Sequence, residues 1–150
     1  MKFPKDFIWG GATSSYQIEG AAFHEGGGES IWDMMGRQPG KIHQGDTGEL
    51  ACDHYHRYKQ DVTLMANIGL KAYRFSVSWP RVLPTGQGAI NQKGLDFYHR
   101  LVDELLEKNI TPWVSLFHWD FPYDLYCRGG WLNRESADWF SDYTSLVVDK

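Results

Sequence analysis

Cysteine, clustered positive charge and long apolar runs are all scarce in this sequence, and each scarcity closes off a class of protein. The 150 residues hold two cysteines, Cys52 and Cys127, in unrelated contexts, so two free thiols are expected rather than a disulfide framework. Lys and Arg number 15 against 19 Asp and Glu, for a formal net charge of -4. No basic cluster or aromatic-interleaved basic stripe interrupts that balance, which argues against a nucleic acid or an anionic membrane as partner. No apolar run approaches the roughly 20 residues needed to span a bilayer. The opening Met1-Lys2-Phe3-Pro4-Lys5-Asp6 lacks the apolar core of a signal peptide, and a cytoplasmic location is the expectation. A phosphate-binding glycine fingerprint is also missing, because Gly26-Gly27-Gly28 leads into no convincing helix.

Aromatics, by contrast, are abundant. Seven Trp, eight Tyr and eight Phe accompany a composition of 42% hydrophobic and 23% charged residues, enough for one globular domain with a sizeable core. Trp and Tyr beside polar side chains also suit ligands with apolar faces and hydroxyl edges, such as sugars.

The stretch from Ile110 to Pro122 organises the rest. Its first half is apolar and rich in β-formers and reads as a strand buried on both sides, while its end turns polar at His118, Trp119 and Asp120. In folds built on parallel strands, ligands sit at the carboxyl ends of the strands. Earlier in the chain, Phe7 to Tyr16 begins as a short strand rich in small residues and runs into Gln17 and Glu19. A Gly-rich, charged connection follows from Gly20 to Gly48, with a short helical turn expected at Ser30-Ile31-Trp32-Asp33; connections of this length are usually functional.

A helix is expected from about Asp53 to Ile68, with Tyr55, Tyr58, Val62 and Met65 on one stripe and Gly69 as its stop. Leu70 to Trp79 alternates as a strand, placing Tyr73, Phe75 and Val77 on one face and Arg74, Ser76 and Ser78 on the other. A second helix lies between Asn91, a candidate cap, and Asn109, a candidate left-handed terminator. A third starts near Asn133, with Phe140, Tyr143 and Val147 as its stripe. Strands alternating with helices favour parallel pairing with helices outside. Without the phosphate fingerprint of a doubly wound sheet, a barrel is the preferred α/β architecture. The third helix shows no stop signal before Lys150, so residues 1–150 are expected to be one part of a larger domain, cut within or just after that helix.

The motifs point further. Phe7-Ile8-Trp9-Gly10-Gly11-Ala12-Thr13-Ser14-Ser15-Tyr16-Gln17-Ile18-Glu19-Gly20-Ala21 resembles the N-terminal signature of family 1 glycoside hydrolases, the β-glucosidases and their relatives. Glu29 to Asp33, Ala51 to Arg57, Tyr73 to Ser76 with Trp79-Pro80-Arg81, and Phe117 to Asp120 with Gly129 to Asn133 resemble the family's other landmarks, in the family's order. The resemblance implies a TIM (β/α)8 barrel of which this chain supplies about the first three strand-helix units. It implies a retaining β-glycosidase acting on β-glucosides, with β-galactosides as a second substrate class, no cofactor or metal and a small-molecule glycoside as partner. The family's two catalytic glutamates, in Asn-Glu-Pro and Glu-Asn-Gly motifs, are absent from residues 1–150, so the segment alone is expected to be inactive.

By the same resemblance Gln17, His118 and Trp119 match positions that hold the sugar's hydroxyls, and each has suitable donors or acceptors. Their bland alternatives are a loop amide capping backbone, a satisfied core histidine and simple packing. Arg74 matches an arginine that interacts with the nucleophilic glutamate; otherwise it needs a structural partner such as Asp120, Glu19 or a later carboxylate. Glu19, Glu25, Glu29 and Asp120 present no fixed catalytic pair. Cys52, Asp53, His54 and His56 have metal-binding chemistry but not the spacing of known zinc sites, and read as helix-start packing. Two alternatives stand beside the glycosidase: a noncatalytic carbohydrate-binding member of the family, and a partial barrel that needs a partner chain.

Overall fold

The computed structural model describes residues 2–150. Three parallel strands, β1 (Gly10–Ala12), β2 (Ala72–Ser76) and β3 (Thr111–Ser115), form one sheet in the order 1-2-3. The register sets Arg74 opposite both Ala12 and Trp113, so the arginine lies at the centre of the sheet. Helix α1 (Ser15–Ile18) is a single turn directly after β1. The long connection holds a 3-10 turn at His24–Gly26, helix α2 (Ile31–Gly36) and a second 3-10 turn at His43–Gly45. Ser30 starts α2 through a capping box in which its hydroxyl accepts from the Asp33 N–H and the Asp33 carboxylate accepts from the Ser30 N–H.

The two long helices occur where the periodicity predicts them. Helix α3 (His54–Asn67) ends at Gly69, whose φ of +86° suits a residue without a Cβ. Helix α5 (Gln92–Glu107) ends at Asn109, left-handed at φ +57°. Asn91 does not cap α5 as expected: its amide instead donates to the Arg81 carbonyl, 2.9 Å away, tying α5 to the short helix α4 (Trp79–Val82). After β3 come helix α6 (Tyr123–Cys127), a 3-10 turn at Gly130–Leu132 and helix α7 (Ser136–Val148). Helix α7 begins after Asn133 because the Asn133 side chain accepts from the Glu135 N–H and donates to the Arg128 carbonyl, holding a turn there.

Tyr73 and Phe75 of β2 and Val77 just after it point into the core, as the alternation predicts, and pack with Tyr58 and Val62 of α3 and Leu95, Leu101 and Leu105 of α5. Tyr143 of α7 stacks on Trp79 at 4.7 Å and donates to the Leu116 carbonyl at 2.8 Å, which fastens α7 to the end of β3. Trp139, outside the predicted stripe, is buried beside it.

The short strand expected near the start of 7–16 is Gly10–Ala12, and the chain turns into α1 once the Thr13 N–H has donated to the Arg74 carbonyl. One further expectation fails. Strand β3 is not buried on both sides: Trp113 is 59% and Val114 47% exposed. It is the edge of the sheet, with β2 on one side and no fourth strand among the described residues on the other. Among the described residues, no helix is long and apolar enough to cross a membrane.

Candidate functional site

The carboxyl ends of β1, β2 and β3 gather most of the polar side chains singled out by the sequence. Gln17 lies on the exposed turn of α1 rather than at a strand end, and Ser14 Oγ donates to its Oε1 at 2.7 Å. That bond orients the amide and leaves its N–H groups available as donors. His118 and Trp119 follow β3. Arg74 Nη2 lies 3.3 Å from His118 Nδ1, and since a guanidinium only donates, Nδ1 is the acceptor and the ring proton sits on Nε2. The His118 and Trp119 rings stack at 5.0 Å, and Trp119 is 62% exposed with a φ of +78°, an uncommon conformation for a bulky residue.

Gln17, His118 and Trp119 line one open concavity together with Ser14, Tyr16 and Trp32. Trp32 belongs to α2, inside the long Gly-rich connection where a short helical turn is expected, and supplies an aromatic wall that the sequence did not mark as part of the site. Indole rings beside an amide and an imidazole can cover the apolar face of a ring-shaped ligand while hydrogen bonding its edge.

Arg74 is half-buried on the open face of the sheet. Its Nε donates to Ser115 Oγ at 2.7 Å, and no carboxylate among the described residues pairs with it. The two carboxylates considered as partners are engaged elsewhere. Glu19 forms a buried ion pair with Arg81, Oε2 to Nε 3.1 Å, and accepts from the Tyr98 hydroxyl at 2.9 Å. Arg81 also donates to the Gly20 and Ala21 carbonyls and lies over the Tyr55 ring at 4.3 Å. Burial pushes the Glu19 carboxyl above its usual range, with Arg81 and the Tyr98 hydroxyl opposing. Asp120 accepts from Ser15 Oγ at 2.5 Å through one oxygen, while its other oxygen is buried without a partner. Burial pushes this carboxyl up to about 7, with the Ser15 bond opposing and the negative Glu19 adding to the rise.

Sequence reasoning missed both networks. Glu19 and Arg81 each stand in a recognisable motif, but nothing in their spacing says that they pair. The cluster at the start of α3 disperses: His56 Nδ1 bonds Asp53 at 2.6 Å, His54 Nδ1 bonds Asp61 at 2.7 Å, and Cys52, like Cys127, is an exposed free thiol. No group of three or more His, Cys, Asp or Glu among the described residues could hold a metal ion.

Comparison with known proteins places this arrangement. Residues 1–150 match the profile of glycosyl hydrolase family 1. A 1,4-beta-D-glucan glucohydrolase of Thermotoga neapolitana is 55% identical over 148 residues, covering 99% of this chain and 35% of that protein. Beta-glucosidase A of Thermotoga maritima is also 55% identical over 148 residues, covering 99% of this chain and 33% of its own length. The structure of a Thermotoga maritima beta-glucosidase in complex with deoxynojirimycin superposes with a TM-score of 0.95 at 56% identity, covering 97% of this chain and 33% of that one. The chain belongs to glycosyl hydrolase family 1. Its parallel sheet and flanking helices are part of a TIM (β/α)8 barrel, and it spans about a third of the length of the curated relatives it matches.

Proposed function

We propose that residues 1–150 are the N-terminal part of a single (β/α)8 barrel of a retaining β-glycosidase, contributing part of its sugar subsite. Gln17 and His118 hydrogen-bond the hydroxyls of the non-reducing sugar, and Trp119 adds an indole donor and a stacking surface. The observation that carries the reading is that these three side chains, one from helix α1 and two from the segment after β3, line one concavity in a family 1 chain. Substrates are β-glucosides, with β-galactosides as a second class. Two glutamates outside 1–150 perform the chemistry: one attacks the anomeric carbon while the other protonates the leaving oxygen, and water, giving its proton to the second glutamate, then cleaves the glycosyl-enzyme bond and releases the sugar. Arg74, with a half-buried charge and no carboxylate partner in this segment, supports the ionised nucleophile.

The test is hydrolysis of an aryl β-glucoside by the full-length gene product, with the anomer of the first-formed sugar read by NMR. Release of the β-anomer is expected. Initial release of the α-anomer would contradict the retaining assignment. Sugar binding without turnover would favour a noncatalytic carbohydrate-binding protein.

A further inference from the structure

Ser15, Ser76 and Asp120 come from the ends of three different strands and meet in the interior. Ser15 follows β1, Ser76 is the last residue of β2, and Asp120 follows β3; their exposures are 2%, 0% and 1%. Ser15 Oγ donates to Asp120 Oδ2 at 2.5 Å, Ser15 N–H donates to Ser76 Oγ at 2.8 Å, and Ser76 Oγ donates to Ser15 Oγ at 3.2 Å. Ser15 opens the α1 turn that carries Gln17. Asp120 directly follows Trp119, and the Phe121 N–H donates back to the Trp119 carbonyl at 2.9 Å, so the +78° φ of Trp119 lies inside a tight turn around Asp120. No other side-chain hydrogen bond among the described residues joins the Ser14–Ile18 turn to the His118–Asp120 loop.

We propose that Asp120 is a positioning residue of the sugar subsite, acting through Ser15 to fix the Gln17 turn at its working distance from His118 and Trp119. This rests on the sugar-subsite reading above. A carboxyl group suits the task because its oxygen accepts from the Ser15 hydroxyl, and a buried bond of this kind resists competition from water. Without the bond, the two loops would still fold against the barrel, but their relative placement would loosen on the scale to which hydrogen-bond recognition is sensitive.

The experiment compares full-length wild-type protein with Asp120→Ala, Asp120→Asn and Ser15→Ala, using an aryl β-glucoside and its monodeoxy analogues. In the wild type, removing a sugar hydroxyl bound by Gln17 or His118 is expected to lower kcat/KM sharply. In Asp120→Ala and Ser15→Ala, kcat/KM for the parent glucoside is expected to fall by up to about 100-fold, the scale of a misplacement of about 1 Å. The penalty for the missing hydroxyl should shrink in step, because the contact is already misplaced. Asp120→Asn keeps an acceptor for Ser15 and should retain most of the penalty. Lowered Tm with undiminished deoxy penalties in Ser15→Ala would overturn the proposal, leaving the bond a structural pin, and that variant decides the matter if Asp120→Ala does not fold. A wild type that neither binds nor cleaves the glucoside would sink the sugar-subsite reading and this inference together; an active wild type with unresponsive variants would sink this inference alone.

Discussion

Two buried carboxyl groups carry the sharpest expectations at the scale of single residues. Glu19 has its charge balanced by Arg81, and Arg81→Met would leave it buried with only the Tyr98 hydroxyl. Breaking one side of such a pair costs about 3–5 kcal/mol, measurable by urea unfolding, and adding Glu19→Gln should restore part of the loss. A loss within experimental error would show that the pair contributes little. Asp120 gives a pH signature. Its folded carboxyl titrates at about 7, against about 3.9 in an unfolded chain, so between those values the folded state holds a proton that the unfolded state has released. Stability from this group is therefore fully present below about pH 4, declines as pH rises toward about 7, and levels off above it. Asp120→Asn should flatten that decline, and an unchanged slope in a pH series of unfolding curves would contradict the assignment. Neither group was legible as buried in the sequence, because burial of a carboxylate depends on partners far away in the chain. Gln17, His118 and Trp119 stood out in the sequence through a local motif and a change from apolar to polar after a strand, both within a few residues, and the structure brings the three to one concavity.

Among the elements, the helices were the most readable and the sheet edge the least. Periodicity marks α3 and α5 because each presents one apolar stripe to one sheet, and Gly69 and Asn109 occupy the left-handed positions their side chains favour. An apolar strand, however, reads the same at the centre of a sheet and at its edge, so Trp113 and Val114 gave no sign of their exposure. Nor could the cap position of Asn91 reveal that the Arg81 carbonyl competes for its amide. Gly94 tests how closely α4 and α5 are packed. Replacing glycine by alanine in a helix normally stabilises it by about 1 kcal/mol. Here a Cβ at position 94 would lie 2.3 Å from the Arg81 carbonyl oxygen. Gly94→Ala is therefore expected to destabilise by about 1–3 kcal/mol, in the range for overpacking. A gain in urea midpoint would contradict this close approach.

For the whole molecule, the open face and edges of the sheet dominate. Phe7, Ile8 and Trp9 on one side and Trp113 and Val114 on the other are exposed apolar groups, and among the described residues both outer strands present unpaired edges. Residues 1–150 expressed alone are expected to self-associate, detected as a high apparent mass by light scattering, and to leave aryl β-glucosides intact; a monodisperse monomer with a sharp thermal transition would contradict that. In the barrel of the family these surfaces are where neighbouring strands close the sheet. Sugar recognition by Gln17 and His118 is tested most directly by calorimetric titration of the full-length protein with deoxynojirimycin. Saturable one-site binding, weakened at least about tenfold in both Gln17→Ala and His118→Ala as expected for the loss of buried hydrogen bonds to a ligand, is the predicted result. Wild-type affinity in both variants would place the sugar elsewhere and contradict the account.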